Sequence, residues 1–391
     1  MNEKVVVAFS GGLDTSFCVV YLKQQGYDVV TVTVSTGELD GNELKNIENK
    51  ALALGSLHHY NIDAKKKVYD QIIQYIIKLN GLYEGDYPLL CADRYAIVEE
   101  VLKIAKEESA DVVAHGCTGA GNDQVRFDAA ISALNPHIKI LSPVRDLEMT
   151  RVKEIDFLKS NGFDVDTPLK KYSINKNVFG VTVSGSEIDE NKEPDSNAYT
   201  LTKKTISTKH CKYITMGFEK GLPVSLNEKP MSGSKILKEL NTLVGAYGFG
   251  SEIYTGDCVI GIKGRILFEA PGLLTLIKCH QKLEQIILTK QQLTFNRYAS
   301  HSWSDLVYGG LYYEPLTKNL EKYADSVQYN VNGTVKVKLE QNSMKIVEVQ
   351  SPNSLIGRRK VIYAQKSAGS GDQVKGFIKF YSMQQTMVGS K

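Results

Sequence analysis

Along the first 160 residues, apolar and polar positions alternate between two rhythms. An unbroken apolar run predicts a buried strand at 5–9, and further strand candidates stand at 28–34, 57–61, 111–115 and 138–141. Between them apolar residues recur every three or four positions, predicting helices at 15–24, 43–54, 65–79 and 94–108, and a last one at 149–160. In the 94–108 stretch Ile97, Val98, Val101, Leu102 and Ala105 make one apolar stripe. Strands alternating with helices predict an α/β fold, a doubly wound parallel sheet covered on both sides. Ligands of such sheets sit beyond the carboxyl ends of the strands.

The rhythm changes past Pro143, and Asp166-Thr167-Pro168 reads as a boundary. Alternation then predicts two hairpins, 213–226 turning at Lys220-Gly221 and 334–340 with 344–350. Helical periods occupy 235–247, 273–288, 291–308 and 316–326, and the polar stretch 187–197 reads as a loop. The tail at 376–387 is amphipathic enough for a terminal helix that packs on a neighbouring subunit. The second part is therefore α+β, followed by a C-terminal helix.

At 391 residues the chain is too long for one core and suggests two or three domains. Its net charge of +3 carries no long basic block, which leaves nucleic acid without an electrostatic footprint; Lys65-Lys66-Lys67 reads as a solvated helix face. No apolar run approaches the roughly 18–20 residues of a membrane span, and Met1 leads into a strand without a signal peptide. The six cysteines are scattered, with no Cys-x-x-Cys, which argues against structural zinc and for reduced thiols in a cytoplasm.

Two loops at strand ends carry candidate chemistry. Ala8-Phe9-Ser10-Gly11-Gly12-Leu13-Asp14-Thr15-Ser16 joins the first strand to the first helix. A glycine turn aims helix amides at an anion, Ser10, Thr15 and Ser16 add hydroxyls, and Asp14 is placed to hold a metal. No Gly-Lys-Ser/Thr follows, so a Walker-type site is not indicated. The second loop runs from His115 and Gly116 through Cys117, Thr118, Gly119, Ala120, Gly121, Asn122, Asp123, Gln124 and Val125 to Arg126 and Phe127. His115 reads as a strand-end histidine satisfied by backbone, and Cys117 as a small residue rather than a nucleophile.

The first loop resembles the pyrophosphate loop of the ATP pyrophosphatase superfamily. With HG-x-TG-x-GNDQVRF after it, the chain resembles argininosuccinate synthases over nearly its whole length, most specifically in the first 130 residues. The resemblance implies an adenine nucleotide alpha hydrolase-like nucleotide-binding domain (1–166), a synthetase domain (167–362) and an oligomerisation arm (363–391) in a homotetramer. It implies ATP bound by Ala8 to Ser16, Val34 and Gly116, with Mg²⁺ at Asp14 and Ser10, Asp14 and Arg126 in catalysis. Aspartate falls to Thr118, Asn122 and Asp123, and citrulline to Tyr87, Arg94, Asn122, Arg126, Ser173 and Thr182. Without the family, Ser173 and Thr182 read as helix-cap hydroxyls.

Four departures cluster on the citrulline side. Cys91 stands where a serine is common, Ala120 replaces a frequent lysine, Gly256 falls where a citrulline-binding glutamate is usual, and Phe268 where a tyrosine hydroxyl is usual. Either neighbours such as Asp257 or Lys176 take over, or the protein is a related ligase joining aspartate to another ureido or amide acceptor. An RNA-modifying pyrophosphatase would need a basic face and, for thiolation, paired reactive cysteines, and the sequence shows neither.

Overall fold

The computed structural model describes residues 2–37, 39–164, 171–203, 211–356, 363–364, 367 and 369–389. Asp166, Thr167 and Pro168 lie outside the described residues, as does position 362.

The five expected strands form one parallel sheet in the order β3-β2-β1-β4-β5, with β1 Lys4–Ala8, β2 Asp28–Ser35, β3 His58–Asp63, β4 Val112–Ala114 and β5 Lys139–Leu141. Successive strand side chains point to opposite faces, and both faces are buried here. Val5, Val7 and Val29 pack with Phe17 and Cys18 of α1 (Leu13–Gln24) and Leu158 of α8 (Arg151–Ser160). Val6, Val30 and Val113 face Val98 and Val101 of α5 (Asp93–Glu107). That two-sided burial is why β1, β2 and β4 read as mainly apolar runs rather than alternating ones, while the edge strands β3 and β5 carry no buried residue. The order reverses at β1, between β2 and β4, and both candidate loops leave the carboxyl ends of β1 and β4 at that switch point.

Helix α2 is Gly41–Ala53, opened by a capping box between Asp40 and Glu43. The 65–79 helix is interrupted: α3 (Lys65–Val68) and α4 (Gln74–Leu79) flank a wide π turn at Tyr69–Ile73. Ile72, Ile73, Ile76 and Ile77 are fully buried there, against second-part helices. A helix not expected from the pattern, α6 (Asp123–Leu134), rises directly from the second loop, and the short α7 (Pro143–Asp146) follows β5.

Beyond residue 171 two antiparallel sheets appear. One, ordered β10-β9-β8-β13-β14, contains both expected hairpins: β8 Lys212–Glu219, β9 Leu222–Leu226, β10 Lys229–Pro230, β13 Gly333–Glu340 and β14 Ser343–Gln350. The other, β11-β12-β7-β6, was not foreseen; it pairs β6 Ser173–Lys176, β7 Val181–Ser184, β11 Ser251–Asp257 and β12 Lys263–Glu269. Ser173 and Thr182 therefore cap no helix: they lie on adjacent strands, Ser173 opposite Ser184 and Asn175 opposite Thr182. Helices α10 Pro271–Ile287, α11 Lys290–Tyr308 and α12 Pro315–Gln328 join the first-part core through α4, and α9 Gly233–Gly245 packs on α10. The tail forms α13 (Gly371–Tyr381) and α14 (Met383–Gly389), split where the Ser382 hydroxyl donates to the Ile378 carbonyl at 2.8 Å.

Asn177 fastens the two parts. It is buried, donates to the Leu90 carbonyl (2.7 Å) and Asp93 carboxylate (3.0 Å), and stands beside Gly37, where a Cβ would come within 2.3 Å of its Cα. The neighbouring Val178 amide donates to the Thr36 carbonyl at 2.8 Å.

Candidate active site

The turn between β1 and α1 is held by its own hydroxyls. Gly11 adopts φ +74°, a left-handed conformation that glycine takes at little cost. Gly12 then sits at the N-cap of α1 with no side-chain cap, which leaves first-turn amides for an anion. The Ser16 hydroxyl donates to the Gly12 carbonyl (2.6 Å), Ser10 and Thr15 hydroxyls are 3.2 Å apart, and Lys50 of α2 donates to the Gly11 carbonyl at 2.7 Å. Phe9 is buried with the core, so only its backbone faces the loop, while Ala8 and Val34 sit half-buried at the adjacent ends of β1 and β2.

The second loop touches the first. A Cβ on Gly116 would lie 3.0 Å from Thr15 Cγ2 and 3.2 Å from the Asp14 carbonyl carbon. The missing side chain is what lets the loop after β4 close on the start of α1. His115 at its base is buried and satisfied by a carboxylate rather than by backbone alone. The Cys117 amide donates to its Nδ1 (3.2 Å), so Nε2 carries the proton and donates to Asp128 at 2.8 Å. Burial pushes the Cys117 thiol up, in keeping with a packing role.

From this junction a cavity of about 830 Å³ opens between the two parts of the chain. Asp14, Tyr87, Arg94, Gly116, Thr118, Asn122, Asp123, Arg126, Ser173 and Thr182 all line it, joining the second loop, α5 and the β6–β7 hairpin. The other phosphate-loop positions, Ser10 to Leu13, Thr15 and Ser16, stand beside the cavity rather than in its wall, as do Ala8, Phe9 and Val34.

Its charged centre is a carboxylate between two guanidiniums. Arg94 Nη2 and Nε reach Asp123 Oδ2 at 3.0 and 3.2 Å, and Arg126 Nη1 reaches Oδ1 at 2.8 Å. Burial opposes ionisation of Asp123, yet the two guanidiniums hold its carboxyl below the usual range. Arg126 also donates through Nε to the Tyr308 carbonyl (3.0 Å) and lies over the Tyr308 ring. Asn122 donates to the Tyr308 hydroxyl at 3.2 Å, while its Oδ1, buried, has no partner. An orphaned buried acceptor beside leftover guanidinium donors suits a polar, zwitterionic ligand.

Asp14 has a second carboxylate behind it. Glu154 of α8 is 1% exposed, its Oε2 lacks a hydrogen-bond partner, and burial together with the nearby Asp14 charge pushes its pKa up to about 8. Among the described residues no cluster of three or more such ligands stands together. Two carboxylates suit a hard cation that keeps water and substrate phosphate as its other ligands.

Sequence reasoning missed Tyr254, Thr255 and Tyr308, all of which line the cavity. Tyr308 ends a helix and precedes Gly309-Gly310, a local signal; Tyr254 belongs to the unforeseen sheet and had none. Of the departures, Cys91 and Ala120 line the cavity, while Phe268 is buried with its ring 5.6 Å from that of Tyr87. Neither suggested replacement is in place. Asp257 is exposed and paired to Lys263 at 2.5 Å, and Lys176 lines a separate cavity of about 1190 Å³.

The chain matches two family models, the "Arginosuccinate synthase N-terminal HUP domain" over residues 4–164 and the "Arginosuccinate synthase C-terminal domain" over 172–388. It is 41% identical to the argininosuccinate synthase of Xanthomonas axonopodis pv. citri, over 99% of this chain and 94% of the relative. The one from Xylella fastidiosa is 42% identical (99% and 97% covered), and that of Hyperthermus butylicus 43% (97% and 96%). The chain belongs to the argininosuccinate synthase family.

Proposed function

We propose that the chain ligates L-citrulline to L-aspartate at the expense of ATP, giving argininosuccinate, AMP and pyrophosphate, a step of arginine biosynthesis. The observation that carries this is the contact at Gly116, where a helix N-terminus fit for phosphates meets a loop fit for an amino acid.

ATP lies with its adenosine along Ala8 and Val34 and its β- and γ-phosphates over the turn from Ser10 to Ser16. There the first amides of α1 and the Ser10, Thr15 and Ser16 hydroxyls take the charge that pyrophosphate develops as it leaves. Asp14 and Glu154 would hold Mg²⁺, which supplies charge neutralisation at the phosphates when bound. Citrulline is held by Tyr87, Arg94, Arg126, Ser173 and Thr182 with its ureido oxygen toward the α-phosphorus. That oxygen attacks, the α–β bridge breaks, and a citrullyl-adenylate forms.

Aspartate then enters against Thr118, Asn122 and Asp123. The carboxylate of Asp123 is committed to two guanidiniums, so it fixes the orientation of Arg94 and Arg126, whose remaining N–H groups meet substrate carboxylates. Asn122 Oδ1 accepts from the incoming amine, which must arrive neutral. The amine attacks the activated ureido carbon, and the carbon–oxygen bond breaks to release AMP. Positioning and charge stabilisation carry the catalysis; no side chain is required as a general base.

We assign the protein to the cytoplasm and its assembly to a homotetramer bound through the 363–391 arm. Support for the arm is its unpartnered apolar face: Phe377, Phe380, Tyr381, Met387 and Val388 are all exposed.

The test is incubation with ATP, Mg²⁺, citrulline and aspartate, with product masses read. AMP and a product of citrulline plus aspartate less one water are expected; ADP overturns the cleavage site. The second reading, a different ureido acceptor, draws on Phe268, which leaves an apolar wall beside Tyr87. Turnover of ureido analogues faster than citrulline would favour it.

A further inference from the structure

Citrulline keeps its α-ammonium throughout the proposed reaction, so its site needs a carboxylate with capacity to spare. Asp123 is clamped by Arg94 and Arg126, Asp14 faces Glu154, and Asp257 is paired with Lys263. Asp189 in the cavity wall also forms no ion pair among the described residues, but it accepts from the Gly185 amide at 3.1 Å within its own turn. Glu84 likewise forms no ion pair among the described residues; its carboxylate accepts from the Tyr254 hydroxyl (2.6 Å) and, at 3.3 Å, from the Asp257 amide, and it stands beside the Asp257 carboxyl.

Two features show that this placement is built. A Cβ on Gly256 would fall 1.9 Å from Glu84 Oε2 and 2.2 Å from the Tyr254 hydroxyl, so the carboxylate occupies the space that any side chain at 256 would fill. Glu84 also adopts φ +51°, a left-handed backbone that L residues rarely take and that persists where the surroundings fix it. The turn is pinned on both sides: the Tyr83 amide donates to the Tyr87 carbonyl at 2.8 Å, and the Tyr83 ring stacks on Tyr308 at 3.7 Å. Tyr254, which holds the carboxylate, lines the cavity, and its ring lies 5.6 Å from that of Tyr87, as does the ring of Phe268.

Resting on the citrulline reading, we propose that Glu84, held by Tyr254 in the space vacated at Gly256, receives the α-ammonium of citrulline. A carboxylate from the first part of the chain thus does what a side chain on β11 would otherwise do, and Tyr254 brings a hydroxyl beside the apolar Phe268. Because Glu84 reaches over from the first part, the subsite exists only while its turn and β11 are in contact.

The experiment compares citrulline with 5-ureidopentanoate, which lacks the α-amino group, in the wild type and in Glu84→Gln. Wild type should prefer citrulline in kcat/KM by about 10- to 100-fold, the range for a charge-assisted hydrogen bond, and Glu84→Gln should lose most of that preference. KM for ATP and for aspartate should stay within about twofold, a split that a merely structural role would not give. Gly256→Ala, whose Cβ displaces the carboxylate, should weaken discrimination in the same direction. Equal discrimination in Glu84→Gln and wild type overturns the proposal, as does its loss in Asp189→Asn, an acidic residue that lines the cavity together with Asp14 and Asp123, with Glu84→Gln unaffected. A wild type that turns over citrulline without preferring it to the des-amino analogue sinks the assignment of Glu84 alone. A wild type that forms no AMP from citrulline and aspartate sinks the reaction itself.

Discussion

Replacing Arg126 with methionine removes the most enclosed cation of the cavity while filling much of its volume. The side chain is 3% exposed and gives one N–H to Asp123 at 2.8 Å and another to the Tyr308 carbonyl at 3.0 Å. The charge-assisted bond to Asp123 is worth about 1.5–3 kcal/mol, and leaving the Tyr308 carbonyl unsatisfied costs about 1–3. The cation–π contact with Tyr308 adds about 0.5–2 kcal/mol. Against these stands the desolvation of a buried guanidinium, several kcal/mol that methionine does not incur. The net loss of stability is about 2–4 kcal/mol, within the roughly 5–15 available to a folded protein, so the variant should fold.

The kinetic consequence is separate. A guanidinium has five N–H donors, of which these contacts engage two, and the rest are offered to substrate carboxylate. Losing that interaction should lower kcat/KM for citrulline or aspartate by about 10- to 150-fold while leaving KM for ATP near its original value. Arg126→Lys, which keeps charge without the planar fork, should fall between. Pyrophosphate release with each amino acid varied in turn, alongside urea denaturation, reads both effects. A folded methionine variant with unchanged kcat/KM for both amino acids would rule out a carboxylate-binding role for Arg126.

Gly116→Ala should leave the fold nearly intact but raise KM for ATP, because its Cβ meets Thr15 at 3.0 Å and must push the two loops apart; unchanged ATP kinetics would contradict that contact's importance. The Glu154 carboxyl, lifted above its ordinary value by burial and Asp14, favours folding fully when protonated and loses that contribution as pH rises through about 8. In metal-free protein Glu154→Gln should therefore flatten the fall in urea stability between about pH 5 and 8, and an unaltered slope would count against it. Truncation after Gly369 should reduce the far-ultraviolet helical signal only by the two helices removed and lower the number of subunits found by sedimentation, since no residue of α13 or α14 is buried within the chain; an unchanged subunit number removes the arm from assembly.

The centre of the parallel sheet was legible because β1, β2 and β4 are buried on both faces and read as mainly apolar runs: Val5, Val6 and Val7 are each fully buried, whereas the edge strands β3 and β5 carry no buried residue. The β6–β7 hairpin was not, since all four residues of Ser173–Lys176 are exposed and offer no apolar alternation to read. Its pairing depends on β12, more than 80 residues later, a partnership no local window contains. Helix α6 was hidden for another reason: it opens in the polar run Asn122-Asp123-Gln124, whose side chains serve the cavity rather than a core.

Within the site, residues in contiguous motifs were found and residues brought by packing were not. Asp14, Asn122, Asp123 and Arg126 stand in ordered motifs, whereas Tyr254 and Tyr308 are isolated tyrosines given meaning only by Tyr83 and Tyr87 beside them. Gly256 was recognised as a gap, but what fills it lies 172 positions earlier in the chain, and only the fold brings Glu84 to that spot.

The proposed reaction turns on the ureido oxygen itself bonding the α-phosphorus, in a cavity shared by the phosphate turn and the amino-acid loop. Citrulline labelled with ¹⁸O at the ureido position tests it directly, because that oxygen must leave attached to phosphorus when aspartate displaces it. Mass spectrometry should find the label in the phosphate of AMP and none in pyrophosphate. Unlabelled AMP formed alongside argininosuccinate would contradict the adenylate and the arrangement of the site built around it.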